Sequence, residues 1–158
     1  MVKIRLLYDK SYDNFFVLAE LTYKGEKYTL RLLVDTGATV TSLLDRDAIR
    51  IFGPDIEKFE KATRKLIGIG GYAETYVAKN ISLELVDAEN PNVRVKFNLS
   101  KIYVVTHLKK FRGEEWKRLT QLPSLLGRDV LKRAKLLIDS RANPPIAELE
   151  FDAKEYTI

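Results

Sequence analysis

The chain is 158 residues long, nearly half of them apolar and 31% charged, which is enough for one domain with its own core. It has no cysteine and one histidine, His107, which excludes disulfides, thiolate catalysis and cysteine-based zinc sites and leaves no second histidine for a metal site. The formal charge of +5 arises from 27 basic and 22 acidic residues interleaved along the chain, a dispersed mixture rather than a nucleic-acid-binding patch, and one that also fits a heat-adapted protein.

In chain order, Met1-Val2-Lys3-Ile4-Arg5 puts charges where a signal peptide needs apolar residues. The longest apolar run, Phe15 to Ala19, falls far short of the ~20 residues of a membrane helix. A cytoplasmic protein with no membrane partner is expected. Phe16 to Tyr23 and Lys27 to Val34 are apolar-rich runs on either side of Lys24-Gly25-Glu26, the pattern of a β-hairpin. The second run leads directly into Asp35-Thr36-Gly37-Ala38. An acid there leaves an apolar strand with hydrophobic neighbours, so its charged form is poorly solvated. Gly37 allows close backbone approach, and Thr36 offers a short hydroxyl that can hold the loop. Read locally, Asp-x-Gly is also an ordinary turn.

Asp45 is placed to cap a short helix through Ala48, Ile49 and Phe52, stopped by Gly53-Pro54. Next, Ile67-Gly68-Ile69-Gly70-Gly71 sets three glycines around one isoleucine. Tyr72 to Val77 then continues as strand rather than helix, so a hairpin tip able to close over a ligand fits better than a phosphate cradle. Ile81, Leu83 and Leu85 alternate with polar residues, as do Val93, Val95, Phe97 and Leu99, which is the period of half-buried strands. Asn90-Pro91-Asn92 is the turn between them. His107 to Leu122 mixes charges around Phe111 and Trp116 and reads as an inserted surface loop, with no catalytic role for His107. Leu125-Leu126-Gly127-Arg128-Asp129 leads from a buried strand into a short helix, and Lys135 to Asp139 and Ala147 to Phe151 are the last strands, separated by Asn143-Pro144-Pro145. The sum is a single all-β domain over 1–158, a closed or strongly curved sheet with one or two small helices.

Three of these segments, in this order, resemble the retropepsin family, the aspartic proteases of retroviruses and their cellular relatives. They are Asp35-Thr36-Gly37-Ala38 as the catalytic loop, Ile67 to Gly71 as the flap tip, and Leu126-Gly127-Arg128 as the element passing behind the site. The resemblance covers most of the chain and implies a retropepsin-like barrel lobe and an aspartic endopeptidase acting on peptides or proteins without metal or cofactor. One Asp-Thr-Gly per chain implies a homodimer in which two copies of Asp35 share one proton and activate a water. Within the family, Thr36 locks the two active-site loops together, and Ala38 in place of Ser goes with a less acidic working pH. Compact viral members carry a second Asp directly after this motif, pairing with the Arg of Gly-Arg; here that position is Thr39, which leaves the partner of Arg128 open. The chain between Asp35 and Ile69 is also longer than in those enzymes, and the segment after Arg141 does not match their dimer strand. The competing readings are a non-proteolytic dimeric module that binds peptides or proteins on the same fold, and a nucleic-acid-binding barrel using Tyr72, Tyr76 and Tyr103.

Overall fold

The computed structural model describes residues 1–62, 74–107 and 113–158. In chain order its strands are β1 (Val2–Arg5), β2 (Leu7–Asp9), β3 (Asn14–Tyr23), β4 (Glu26–Val34), β5 (Ser42–Leu43), β6 (Glu60–Lys61), β7 (Glu74–Val86), β8 (Arg94–Thr106), β9 (Ser124–Leu126), β10 (Ala134–Asp139), β11 (Ile146–Phe151) and β12 (Glu155–Thr157). Helix α1 spans Asp45–Phe52 and runs into a 3-10 helix at Gly53–Lys58, α2 spans Glu114–Leu119 and α3 spans Arg128–Leu131. Among the described residues, no helix is long and apolar enough to cross a membrane.

The larger sheet runs β12-β8-β5-β9-β4-β3-β7-β6, and an additional β7–β8 pairing brings it back on itself, so that β8, β5, β9, β4, β3 and β7 form a closed ring of hydrogen-bonded neighbours. A closed sheet needs its apolar side chains on one face only, which is why the strands alternate as strongly as they do. Val17, Ala19 and Leu21 of β3, Leu30 and Leu32 of β4, and Leu83 and Leu85 of β7 fill the interior. A second sheet, β1-β11-β10, packs Ile4, Leu149 and Phe151 onto the same core. Phe97 joins the layers: its ring is 5.6 Å from Phe151 and 5.2 Å from Tyr156, stacked on the latter, which anchors β12.

The alternation expected around Ile81 and Val95 is present, but the two strands are longer than that pattern suggests and change face partway. In β7 the buried positions are Tyr76 and Ala78, then Ile81, Leu83 and Leu85; in β8 they are Val95, Phe97 and Leu99, then Ile102 and Val104. The switch occurs at Asn80, which adopts a φ of 56°, a left-handed conformation that Asn tolerates better than most residues. A one-residue change of phase turns every following side chain to the other face, and this lets one long hairpin curve around the core.

Helix α1 presents Ala48, Ile51 and Phe52 to the interior, with Phe52 edge-on to Tyr23 and Phe59. Asp45 does not cap it. Leu44 is the N-cap, and Asp45 is fully buried in the first turn, where its carboxylate accepts the His107 backbone N–H at 2.5 Å and lies 2.7 Å from His107 Nδ1. Asp47, also buried, accepts the Ser124 hydroxyl at 2.7 Å, and Ser124 in turn accepts the Leu44 N–H at 3.0 Å. A buried carboxylate persists only with such partners. His107 therefore ties the end of β8 to α1, and within the 107–122 segment residues Glu114–Leu119 form helix α2. The expected flap tip, Ile67 to Gly71, lies outside the described residues.

Candidate active site

Strand β4 delivers Asp35. Its parallel pairing with β9 sets Leu32, Leu33 and Val34 against Ser124, Leu125 and Leu126, and the Asp35 N–H continues the ladder to the Leu126 carbonyl at 3.1 Å. Beyond that point the backbone turns: the Ala38 N–H reaches the Asp35 carbonyl at 3.2 Å, and the Gly37 N–H donates to Asp35 Oδ1 at 2.9 Å. Asp35 is half-buried, while Thr36 and Gly37 are exposed. Among the described residues the Gly37 N–H is the one group donating to this carboxylate, so most of its acceptor capacity faces outward.

The segment Leu126-Gly127-Arg128 supports this loop from behind. The Arg128 N–H donates to the Ala38 carbonyl at 2.8 Å and the Asp129 N–H to the Thr39 carbonyl at 3.2 Å. Gly127 is required by contact: a Cβ there would stand 2.3 Å from the Val40 carbonyl carbon and 2.5 Å from its oxygen. The partner left open for Arg128 is now visible. Its guanidinium donates to the Thr36 carbonyl at 2.9 Å and to the Thr39 hydroxyl at 3.3 Å, so Thr39 supplies a neutral acceptor.

Two residues of this support escaped the sequence reading. Thr41, fully buried, donates its N–H to both oxygens of Asp129 at 3.0 Å and its hydroxyl to Asp129 Oδ1 at 2.7 Å, and it accepts the Gly127 N–H at 3.1 Å. The Asp129 carboxylate also accepts the Val130 N–H at 2.9 Å, within α3. The one signal available in the sequence is that Asp129 follows Gly-Arg directly; nothing local marks Thr41. Replacing Asp129 with Ala leaves the buried Thr41 N–H and hydroxyl without an acceptor. The expected cost is about 2–3 kcal/mol in denaturant unfolding, with the Asn variant recovering part of it.

Ala38, Leu126, Gly127 and Arg128 thus converge on the Asp35 loop, and the site holds one carboxylate at its exposed face. Among the described residues, no group of three His, Asp or Glu side chains is placed to hold a metal ion. Tyr76 and Tyr103 are both buried; Tyr72 lies outside the described residues.

No protein-family model matches the chain, and no curated protein matches it in sequence. Solved structures do. A retropepsin-like aspartic protease from Rickettsia conorii aligns over 94% of this chain and 90% of its own, with a TM-score of 0.57 and 22% identity. Lower similarity extends to the retroviral protease-like domain of Ddi1 from Leishmania major, with a TM-score of 0.46 and 18% identity over 87% of this chain and 88% of that one. It extends also to the EIAV protease in complex with the inhibitor HBY-793, with a TM-score of 0.41 and 16% identity over 80% and 92%. The fold of the chain is retropepsin-like.

Proposed function

We propose that the chain is one half of an aspartic endopeptidase, active as a homodimer in which two copies of Asp35 hold a water between them. The observation that carries this reading is the Asp35 loop: a single carboxylate, fixed on a backbone platform and satisfied by one internal hydrogen bond, with the rest of its acceptor capacity turned outward. One carboxylate cannot serve as base and acid at once, and a two-fold axis supplies the second. Two carboxylates that close cannot both stay charged cheaply, so the pair would hold one proton between them. The ionised member takes a proton from the water while the protonated member polarises the scissile carbonyl. The resulting tetrahedral species collapses by passing a proton to the leaving amine.

The exposed Thr36 hydroxyl, which has no partner among the described residues, is free to reach across the axis and lock one loop to the other. The substrate in this reading is an extended segment of peptide or unfolded protein, bound as an added strand with Ile67 to Gly71 closing over it. A dimeric binding module on the same fold has no use for two facing carboxylates, whose mutual repulsion it would carry without return.

The test is the concentration dependence of specific activity on an unfolded protein substrate. Below the dimer dissociation constant, activity per subunit should rise in proportion to subunit concentration, then level off as sedimentation shows dimer. Activity per subunit that stays flat while the protein passes from dimer to monomer would exclude a shared site.

A further inference from the structure

We infer that Tyr12 is a positioning residue that fixes one wall of the cleft beside Asp35 and thereby sets the size of apolar side chain the cleft accepts; this rests on the reading that Asp35 cuts peptide bonds. The turn 10–13 joins β2 to β3, and the strand register gives its place. Phe16 pairs with Leu33 in the antiparallel β3–β4 ladder, so the same register carried two residues further puts Asn14, the first residue of β3, level with Asp35. The turn therefore projects past the sheet at the end where the candidate site lies. It is tied down from within. The Asp9 carboxylate accepts the Ser11 N–H at 2.8 Å and the Tyr12 N–H at 3.2 Å and meets Arg31 at 3.4 Å, and the Tyr8 hydroxyl donates to Asp13.

Side chains alternate along β4, so Arg31, Leu33 and Asp35 share the face that points away from the core residues Leu32 and Val34. Phe16 and Leu125 are the register partners of Leu33 and lie on that same face. Leu33 and Leu125 are half-buried and leave an apolar floor two residues from the carboxylate. Phe16 is almost fully buried because Tyr12 and Arg31 cover it: the Tyr12 ring stands edge-on at 5.5 Å, and the Arg31 guanidinium lies 4.8 Å from the Phe16 centroid. From there the Tyr12 hydroxyl donates to the Gln121 carbonyl at 2.8 Å. Strand β9 runs parallel to β4, so a straight continuation would carry residues 121–123 away from Asp35; the bond to Tyr12, at the Asp35 end, holds them back beside it. Burial does not impose this bond. Tyr12 is 47% exposed, and water could satisfy its hydroxyl equally well. What the bond does is pin Gln121 and the exposed Leu122 at a fixed height over the floor of Leu33 and Leu125. A wall pinned in this way discriminates by size: a leucine-sized aliphatic group fits beneath it, and a tryptophan ring has to break the bond to enter.

Two peptides test this, identical except for Leu or Trp as the residue that contributes the carbonyl of the cleaved bond. Wild type should prefer the Leu peptide. Tyr12→Phe keeps the ring on Phe16 and removes the bond. It should narrow the Leu-to-Trp ratio of kcat/KM about threefold to tenfold, the scale of one neutral hydrogen bond, chiefly through a lower KM for the Trp peptide. Tyr28→Phe is the control: that hydroxyl donates to Glu26 at the opposite end of β4, and its loss should leave the ratio at the wild-type value. Fluorescence anisotropy of the same peptides on the Asp35→Asn protein, with and without Tyr12→Phe, reads the ratio of Kd values in the absence of cleavage and should shift alike. Circular dichroism checks that each variant is folded. A merely structural role for Tyr12 would weaken both peptides equally. That result, or an unchanged ratio in cleavage and in binding, would overturn the wall and leave the protease reading standing. A shifted binding ratio in a protein that cleaves neither peptide would support the wall and remove the protease. A protein that neither binds nor cleaves either peptide would overturn both.

Discussion

Asp35→Asn should abolish proteolysis, lowering kcat/KM by at least about 10³-fold, while leaving the fold and the dimer intact. The substitution is isosteric. The amide oxygen it introduces can still accept the Gly37 N–H that Oδ1 accepts at 2.9 Å, and the Asp35 N–H to Leu126 bond is a backbone contact that the change does not touch. In the proposed dimer, what would disappear is the charge that draws a proton from water and the proton that the pair would share. Stability should be unchanged or slightly raised, because two facing carboxylates no longer repel. The measurement is cleavage of an unfolded protein between pH 3 and 7, with and without pepstatin, for both proteins. Mixing sharpens it: excess Asp35→Asn subunits added to wild type should depress activity beyond simple dilution, since each mixed dimer lacks one carboxylate. Cleavage by the purified variant above about a tenth of the wild-type rate would remove Asp35 from the chemistry.

Gly127→Ala has the second large effect, and it acts through contact instead of charge. The added methyl would lie 2.3 Å from the Val40 carbonyl carbon, 2.5 Å from its oxygen and 2.9 Å from the Thr41 nitrogen, all backbone atoms in a segment held at both ends. Neither side can yield cheaply. Thr41 is clamped by Asp129, and Gly127 itself donates to the Thr41 hydroxyl. Overpacking against backbone costs more than against a flexible side chain, and a loss of about 3 kcal/mol or more in denaturant unfolding is expected. Activity should fall further than stability, because the strand that gives way is the one that fixes the Asp35 loop through Ala38 and Thr39. Near-wild-type stability together with full activity would show that Gly127 is not required by packing.

The strands, their half-buried faces and the Asp35 loop were legible because each depends on neighbours a few residues apart. Apolar-rich runs around a turn mark β3 and β4, period-two alternation marks much of β7 and β8, and an acid followed by Thr-Gly at the end of an apolar run marks the turn at Asp35. The short strands β1, β2 and β12 were not legible. Val2–Arg5 and Glu155–Thr157 exist because β11 and β8 offer them an edge, and a stretch of three or four residues has no periodicity of its own to read.

The role of Asp45 shows the same limit from the other side. Its place before Ala48 and Ile49 suggests a helix cap, yet His107, distant in sequence, claims the carboxylate. A buried acid goes to whichever donor removes the most desolvation, and that donor is supplied by the end of β8. Arg128 likewise finds the Thr36 carbonyl and Thr39 hydroxyl only once Gly127 has seated against Val40.

By itself, then, the sequence determined the all-β character, the hairpin that leads into Asp35, and the ordered motifs that point to a retropepsin-like lobe. These are encoded in local pattern and in residues whose chemistry is legible in isolation. The tertiary structure alone decided how Thr41 and Asp129 brace the Asp35 loop and where the long β7–β8 hairpin changes face at Asn80. Each of these depends on which segments, distant along the chain, come to lie side by side. Closure of the sheet settles that, because every strand must find partners for its backbone N–H and C=O groups.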